Sequence, residues 1–284
     1  MLKALLIIML GMFANNTHAQ SVIPRIGVVT DVENDSLLKR LGYAMLLETT
    51  PKILSPRNVS DDEFAALLPT VRNSAVPVYG CNIFIPSDLK VVGPDIREEA
   101  VLAYVDTVLY RAQLAGLTII TWGSSGSRRV PEGFSRVQAT GQFVEMARKV
   151  SEIAAKYGIL LVLENLNSTE ANYITSVPEA LAVVKAVNHP NFRLCVDIYH
   201  MLVDGQPASD IVGVGEWARY SELAEREGRT PPGVHGDDFK PYLAALKAEG
   251  YTGNLMIEAK WDDLAGQGAE AYRVLQEQVE AAYR

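Results

Sequence analysis

The chain has 284 residues, with 48% hydrophobic and 21% charged side chains, and a formal net charge of −8. An acidic chain without a basic stripe argues against nucleic acid and anionic membrane surfaces as partners. It holds only two cysteines, Cys81 and Cys195, which excludes a disulfide-built scaffold.

Residues 1–19 read as a signal peptide. Lys3 supplies the positive end, Ala4 to Ala14 an apolar stretch too short to span a bilayer comfortably, and Thr17-His18-Ala19 a small-residue cleavage site before Gln20. An uncleaved anchor is the alternative. The expectation is an exported protein, periplasmic in a bacterium. Residues 20–284 then form one domain with no membrane attachment after cleavage. That length suits a single (β/α)8 barrel, typically about 250 residues.

Apolar and amphipathic runs alternate along that domain. The spacing predicts strands at 25–30, 43–48, 77–84, 117–122, 159–164, 192–197, 218–224 and 254–258. Helices are predicted at 33–41, 61–73, 96–115, 138–157, 178–187, 238–249 and 266–283. Eight strands alternating with helices imply an all-parallel sheet, and at this length a closed α/β TIM barrel. Cys81 and Cys195 fall in the third and sixth strands, which favours buried free thiols over a disulfide.

Two loops are rich in polar groups. Trp122-Gly-Ser-Ser-Gly-Ser-Arg-Arg-Val-Pro-Glu-Gly-Phe134 follows the fourth strand. Its glycines permit close backbone approach, and Arg128 and Arg129 could clamp an anion or a hydroxylated ligand. It lacks the Lys-Ser/Thr end of a nucleotide loop. Residues 225–238 follow the seventh strand and carry Arg229, Pro231-Pro232-Gly233 and His235.

Four acids end, or nearly end, consecutive strand candidates: Glu164, Asp197, Glu222 and Glu258. A buried core does not tolerate such charges singly. Parallel strands side by side bring them to one rim, where they repel unless a cation sits among them. Oxygen donors suit a hard or borderline ion, Mn²⁺ or Mg²⁺, with Ca²⁺ also compatible. His200, three residues after Asp197, could bind a sugar hydroxyl, bind the metal, carry a proton or cap a helix. The stretch Glu164-Asn165-Leu-Asn167 with Glu170 and Asn172 suits a small ligand with several hydroxyls.

These motifs, together with Asp197-Ile-Tyr-His200, Glu227-Gly-Arg229-Thr-Pro-Pro-Gly233 and Gly250-Tyr-Thr-Gly-Asn-Leu-Met-Ile-Glu258, resemble the sugar phosphate isomerase/epimerase family with the xylose isomerase-like barrel. Within it they look most like the ketose 3-epimerases. The resemblance implies a divalent metal held by Glu164, Asp197, Glu258 and one histidine. It implies proton exchange by Glu164 and Glu258 next to a ketone, through an enediolate. It implies substrate contacts from Glu170, His200 and Arg229. The loop after the fourth strand and residues near Glu48 are expected to shape the pocket. Relatives often form dimers or tetramers, so a homo-oligomer is compatible with it.

One ligand departs from the family pattern. Tyr220-Ser221-Glu222 stands where a His-x-His is expected, and Glu222 takes the place of the metal-binding histidine. Glu222 itself binds the metal, or the site binds metal weakly or not at all, or the alignment is shifted, or His235 substitutes from the loop. The first half of isomerisation, epimerisation, elimination and hydration is the same proton abstraction. The leading expectation is a keto-sugar isomerase or epimerase. The alternatives are an exported lyase or hydratase acting on 3-keto-glycosides or their elimination products, and a non-catalytic sugar-binding relative.

Overall fold

The computed structural model describes residues 22–284; the signal-peptide expectation at residues 1–19 lies outside them. Eight parallel strands close a barrel in chain order: β1 (Ile26–Val29), β2 (Leu46–Thr49), β3 (Val78–Asn82), β4 (Ile119–Trp122), β5 (Leu160–Glu164), β6 (Phe192–Asp197), β7 (Ala218–Leu223) and β8 (Asn254–Ile257). The seam closes where Ile26 of β1 lies opposite Leu255 of β8. Among the described residues no edge strand is left to attract another chain.

The outer layer contains α1 (Asp35–Leu41), α2 (Thr50–Ile53), α3 (Asp61–Arg72), α4 (Glu98–Ala115), α5 (Arg136–Tyr157), α6 (Val177–Val187), α7 (Ile198–Val203), α8 (Lys240–Ala248) and α9 (Leu264–Tyr283). Caps set several of these ends. Ser60 and Glu63 form a reciprocal capping box at α3, and Ser135 and Ser176 accept the Gln138 and Glu179 amides in the first turns of α5 and α6. Gly116 and Gly158 end α4 and α5 in the left-handed conformation that glycine adopts without strain.

The sequence-based elements are all present, with shifted bounds. The strand expected at 43–48 pairs at Leu46–Thr49, and the helix expected from 33 begins as a 3₁₀ turn at Val32–Asn34. Two short helices, α2 and α7, had no sequence signal, because four and six residues are too few for a helical period to show. No helix among the described residues is long and apolar enough to cross a membrane.

Two apolar layers hold the barrel. Met45, Leu47, Ile119, Val162, Cys195, Tyr220 and Met256 fill its interior. A larger cluster packs the outward strand faces against the helices, centred on residues such as Trp122, Phe143 and Phe192. Cys81 and Cys195 are buried free thiols.

Candidate active site and metal centre

The period of a strand is two residues, so side chains at i and i+2 share a face. Val162, Cys195 and Tyr220 point into the barrel core. Two residues later on the same strands stand Glu164, Asp197 and Glu222. Met256 and Glu258 repeat the spacing, although Glu258 lies one residue past the end of β8. The acids therefore continue the inward row one layer above the apolar filling. Register locks the set: Asp197 lies opposite Glu222, and Glu222 opposite Met256. One oxygen from each of Glu164, Asp197, Glu222 and Glu258 can be chosen so that all four lie within 4.8 Å of one another. Four consecutive strands thus supply a half-ring of carboxylates at the C-terminal mouth.

Each acid is held by its own partners. Asp197 caps α7 by accepting the His200 amide on Oδ1 at 3.0 Å. Its other oxygen is buried without a hydrogen-bond partner. The Tyr220 hydroxyl donates to Glu222 Oε1 at 3.0 Å, and the Cys195 thiol donates to Glu222 Oε2 at 3.6 Å. Asn82, at the end of β3, donates to Glu258 Oε1 at 2.7 Å, while Arg229 forms a charged hydrogen bond to Oε2 of the same residue. His200 Nε2 faces Glu164 Oε1 at 3.2 Å. Gly123 faces the same carboxylate so closely that a Cβ there would sit 2.1 Å from Glu164 Oε2.

Electrostatics explain why the cluster calls for a cation. Burial pushes the Glu222 carboxyl well above its usual range, and Glu258, Glu164 and Asp197 add to the shift. Burial also raises Asp197, with His200 opposing and Glu164 adding. Glu258 is pushed up to about 7 by burial, with Arg229 opposing and Glu164 and Asp197 adding. Burial pulls His200 down, but Asp197 and Glu164 outweigh it and lift the imidazole to about 9. Hydrogen bonding argues the other way. Asn167 Oδ1 is occupied by Thr169 and the Glu170 amide, so the Asn167 amide group faces His200 Nδ1 as a donor at 2.8 Å. A neutral ring that donates from Nε2 to Glu164 satisfies both contacts, and positive charge among the carboxylates removes the reason for a second ring proton.

The donor set fits a divalent metal. The donors are oxygens, Asp197 Oδ2 is buried at the rim without a hydrogen bond, and the like-charge and desolvation cost of the ionised cluster, several kcal/mol, is one that a cation offsets. His200 forms an alternative group with Glu164 and Asp197. His235 belongs to neither group and sits 3.8 Å from Glu227 on the loop after β7. Of the sequence-based options at that position, Glu222 is the residue brought to the rim.

Above the rim lies a cavity of about 270 Å³. Its wall includes Glu164, Glu258, His200, Glu170 and Arg229, five residues expected at the site, with Asn82 in addition. Arg229 is held over the Tyr199 ring at 4.5 Å and lies 3.8 Å from Glu170. Its backbone adopts φ +56°, and its carbonyl accepts the Lys260 amide at 2.8 Å, so the strained conformation is fixed by its neighbours.

Two expectations change, and one organising residue had none. Arg128 is no ligand clamp: it is fully buried and donates to the carbonyls of Trp122 and Glu164, with burial pulling its pKa down to about 10. Glu48 does not line the cavity. It accepts the amides of Val32 and Thr49 and braces the loop after β1. Glu225, which carried no sequence signal, is the organiser of the loop after β7. Its buried carboxylate accepts the amides of Gly233, His235 and Gly236 and the hydroxyl of Thr230, which closes the turn that presents Arg229.

Comparison with known proteins follows this geometry. A family model described as xylose isomerase-like TIM barrel matches residues 37–278. L-ribulose 3-epimerase of Methylomonas sp. strain DH-1 is 32% identical over 117 residues, 41% of this chain and 41% of that protein. Hydroxypyruvate isomerase of Escherichia coli strain K12 is 24% identical over 135 residues, 46% of this chain and 52% of that protein. The chain spans about half the length of the curated relatives it matches. A solved structure of L-ribulose 3-epimerase superposes with a TM-score of 0.76 at 18% identity, covering 91% of this chain and 95% of that one, which is a likeness of fold. With most of its length matched by the family model, the chain belongs to the xylose isomerase-like TIM barrel family.

Proposed function

We propose that the protein is a metal-dependent isomerase or epimerase of a small keto-sugar, acting by proton abstraction next to the carbonyl. The observation that carries the reading is the pair Glu164 and Glu258. They come from the ends of two non-adjacent strands, β5 and β8, line the same small cavity, and belong to the carboxylate cluster with Asp197 and Glu222. The sugar epimerases and isomerases among the matched relatives support the same class of chemistry.

The residues divide the work. Glu164, Asp197, Glu222 and Glu258 would hold the metal. When bound, a divalent cation supplies Lewis-acid polarisation of the substrate carbonyl. One glutamate removes the adjacent proton, and the enediolate left behind is reprotonated by the other glutamate from the opposite face, which gives the epimer. Return of the proton to the neighbouring carbon, with an oxygen-bound proton also moved, gives the isomer. Without metal, burial and the neighbouring carboxylates hold Glu258 at about 7, and a bound cation would lower it toward the carboxylate form that removes a proton. Asn82 and Arg229 fix its carboxylate, and His200, set by Asn167, fixes that of Glu164. Glu170 and Arg229 face the same space and offer an acceptor and a donor to sugar hydroxyls.

Incubation of Mn²⁺-loaded protein with D-fructose, D-psicose and L-ribulose in D₂O tests the reading. Deuterium at the carbon next to the ketone, read by NMR, is the expected result. No exchange with any free ketose, together with aglycone release from a 3-keto-glycoside, would instead support the lyase reading, which uses the same first step.

We also propose export, on the strength of Lys3, the apolar run Ala4 to Ala14 and Thr17-His18-Ala19. Mass spectrometry of the protein from its native cells should give a chain starting at Gln20.

A further inference from the structure

We propose that a second cavity beside the barrel mouth is a glycosyl subsite, which seats a sugar unit linked to the keto-sugar at the carboxylates. This rests on the keto-sugar reading above and extends it from monosaccharides to glycosylated ketoses.

The cavity at the carboxylates, about 270 Å³, equals about nine waters at roughly 30 Å³ each, the scale of one monosaccharide. The second cavity measures about 700 Å³. The two linings touch at one point. Glu170 lines the inner cavity, and its carbonyl accepts Arg129 of the outer one at 3.0 Å. Asn172, two residues further along, lines the outer cavity and exchanges two hydrogen bonds with Val130, at 3.1 and 2.8 Å. Lys90 reaches over the loop after β4 to the carbonyl of Gly126 at 3.0 Å. The two linings are thus different residues joined by direct contact, Arg129 of the outer cavity on the backbone of Glu170 of the inner one.

The lining selects the occupant. Pro131 and Phe134 give an apolar platform, Lys90 and Arg129 give donors, and Asp95 and Glu132 give acceptors. Neither Asp95 nor Glu132 has a hydrogen-bond or ion-pair partner among the described residues. A phosphate would be repelled by these two carboxylates, and a hydrocarbon would leave four charges facing an apolar ligand. A sugar ring satisfies all of them. Its hydroxyls donate to carboxylates and accept from cations, and its C–H face lies on Phe134 and Pro131. Arg136 on the same wall is already committed to Glu179 and to the Asn172 carbonyl, so it holds the wall.

Calorimetry on the full metal-loaded chain tests the subsite with turanose, maltulose, lactulose and isomaltulose, four disaccharides ending in a ketose, against D-fructose. At least one disaccharide should bind about tenfold more tightly than fructose, the scale of two added hydrogen bonds. The double variant Asp95→Ala/Glu132→Ala should abolish that preference and leave the fructose Kd within about twofold. Both side chains are unpartnered, so the variant should fold. No disaccharide preference in the wild type, or equal weakening of fructose and disaccharide in the variant, would overturn the subsite. Preference without deuterium exchange on any ketose would sink the reaction proposed above and leave the subsite standing. Exchange without preference would do the reverse.

Discussion

The Tyr220 hydroxyl donates to Glu222 Oε1 at 3.0 Å, from two residues earlier on the same strand. Cys195 on β6 approaches the second oxygen at 3.6 Å. The Glu222 carboxylate is therefore oriented from below by the barrel layer beneath it, as a metal ligand is oriented by the partner behind it.

Tyr220→Phe should keep the ring packing and remove only the donor. Metal affinity should fall about 10- to 100-fold, the cost typical of losing such a partner, with little change in circular dichroism. Glu222→Gln should weaken metal more than Tyr220→Phe does. Competition with a fluorescent chelator measures both. Wild-type affinity in Glu222→Gln would remove Glu222 from the metal site.

Glu164→Gln and Glu258→Gln each retain size and polarity but cannot carry the proton. Each should lower kcat by at least about 100-fold, within the range of general acid–base catalysis. Deuterium exchange splits their roles. If each acid serves one face, substrate of one configuration should still exchange in one variant and its epimer in the other.

Gly123→Ala places a methyl group 2.1 Å from Glu164 Oε2. The neighbour that must yield is the end of a side chain, so the fold should survive. Glu164 should be displaced from the rim, and both metal affinity and kcat should fall by an order of magnitude or more, since misplacement of about 1 Å can cost about 100-fold. An alanine variant with wild-type kinetics would show that Glu164 is free to move and is not positioned by this contact.

Without metal, pH acts on the raised carboxyls. Glu258 has a folded pKa of about 7 against 4.5 unfolded, and Asp197 and Glu222 are shifted in the same direction. Between those values the folded state keeps protons that the unfolded state has lost, so this contribution to stability is present at low pH and lost as pH rises from about 4.5 to 7. A divalent cation replaces those protons. The gain in Tm on adding Mn²⁺ to EDTA-treated protein should therefore grow from pH 5 to pH 8. A gain that is flat or shrinks with pH would contradict the coupling.

The barrel and the four acids were legible for one reason. A parallel barrel strand is an apolar run, and a charge at the end of each run has no place in a core. Glu164, Asp197 and Glu258 ended three such runs, and Glu222 followed a fourth, less apolar stretch, Trp217-Ala-Arg-Tyr-Ser. Asn82 broke a fifth, at the end of Val78-Tyr79-Gly80-Cys81-Asn82, but a neutral amide is a weaker signal than a charge and its partner Glu258 lies 176 residues away. Arg128 and Glu225 were not legible. Whether a loop arginine faces ligand or protein depends on the loop path, here a turn through Ser124 at φ +38°. Whether a loop glutamate is exposed or cradled by four donors depends on a turn that closes around it. Both are tertiary outcomes that no periodicity encodes.

The most direct test is calorimetric titration of Mn²⁺ into EDTA-treated, dialysed protein at pH 7.5, at low micromolar protein concentration. One site per chain with a micromolar or tighter Kd is expected, accompanied by proton release that differs between buffers of different ionisation enthalpy. No saturable binding at micromolar metal would contradict the reading of Glu164, Asp197, Glu222 and Glu258 as one cation site, and with it the route to proton abstraction.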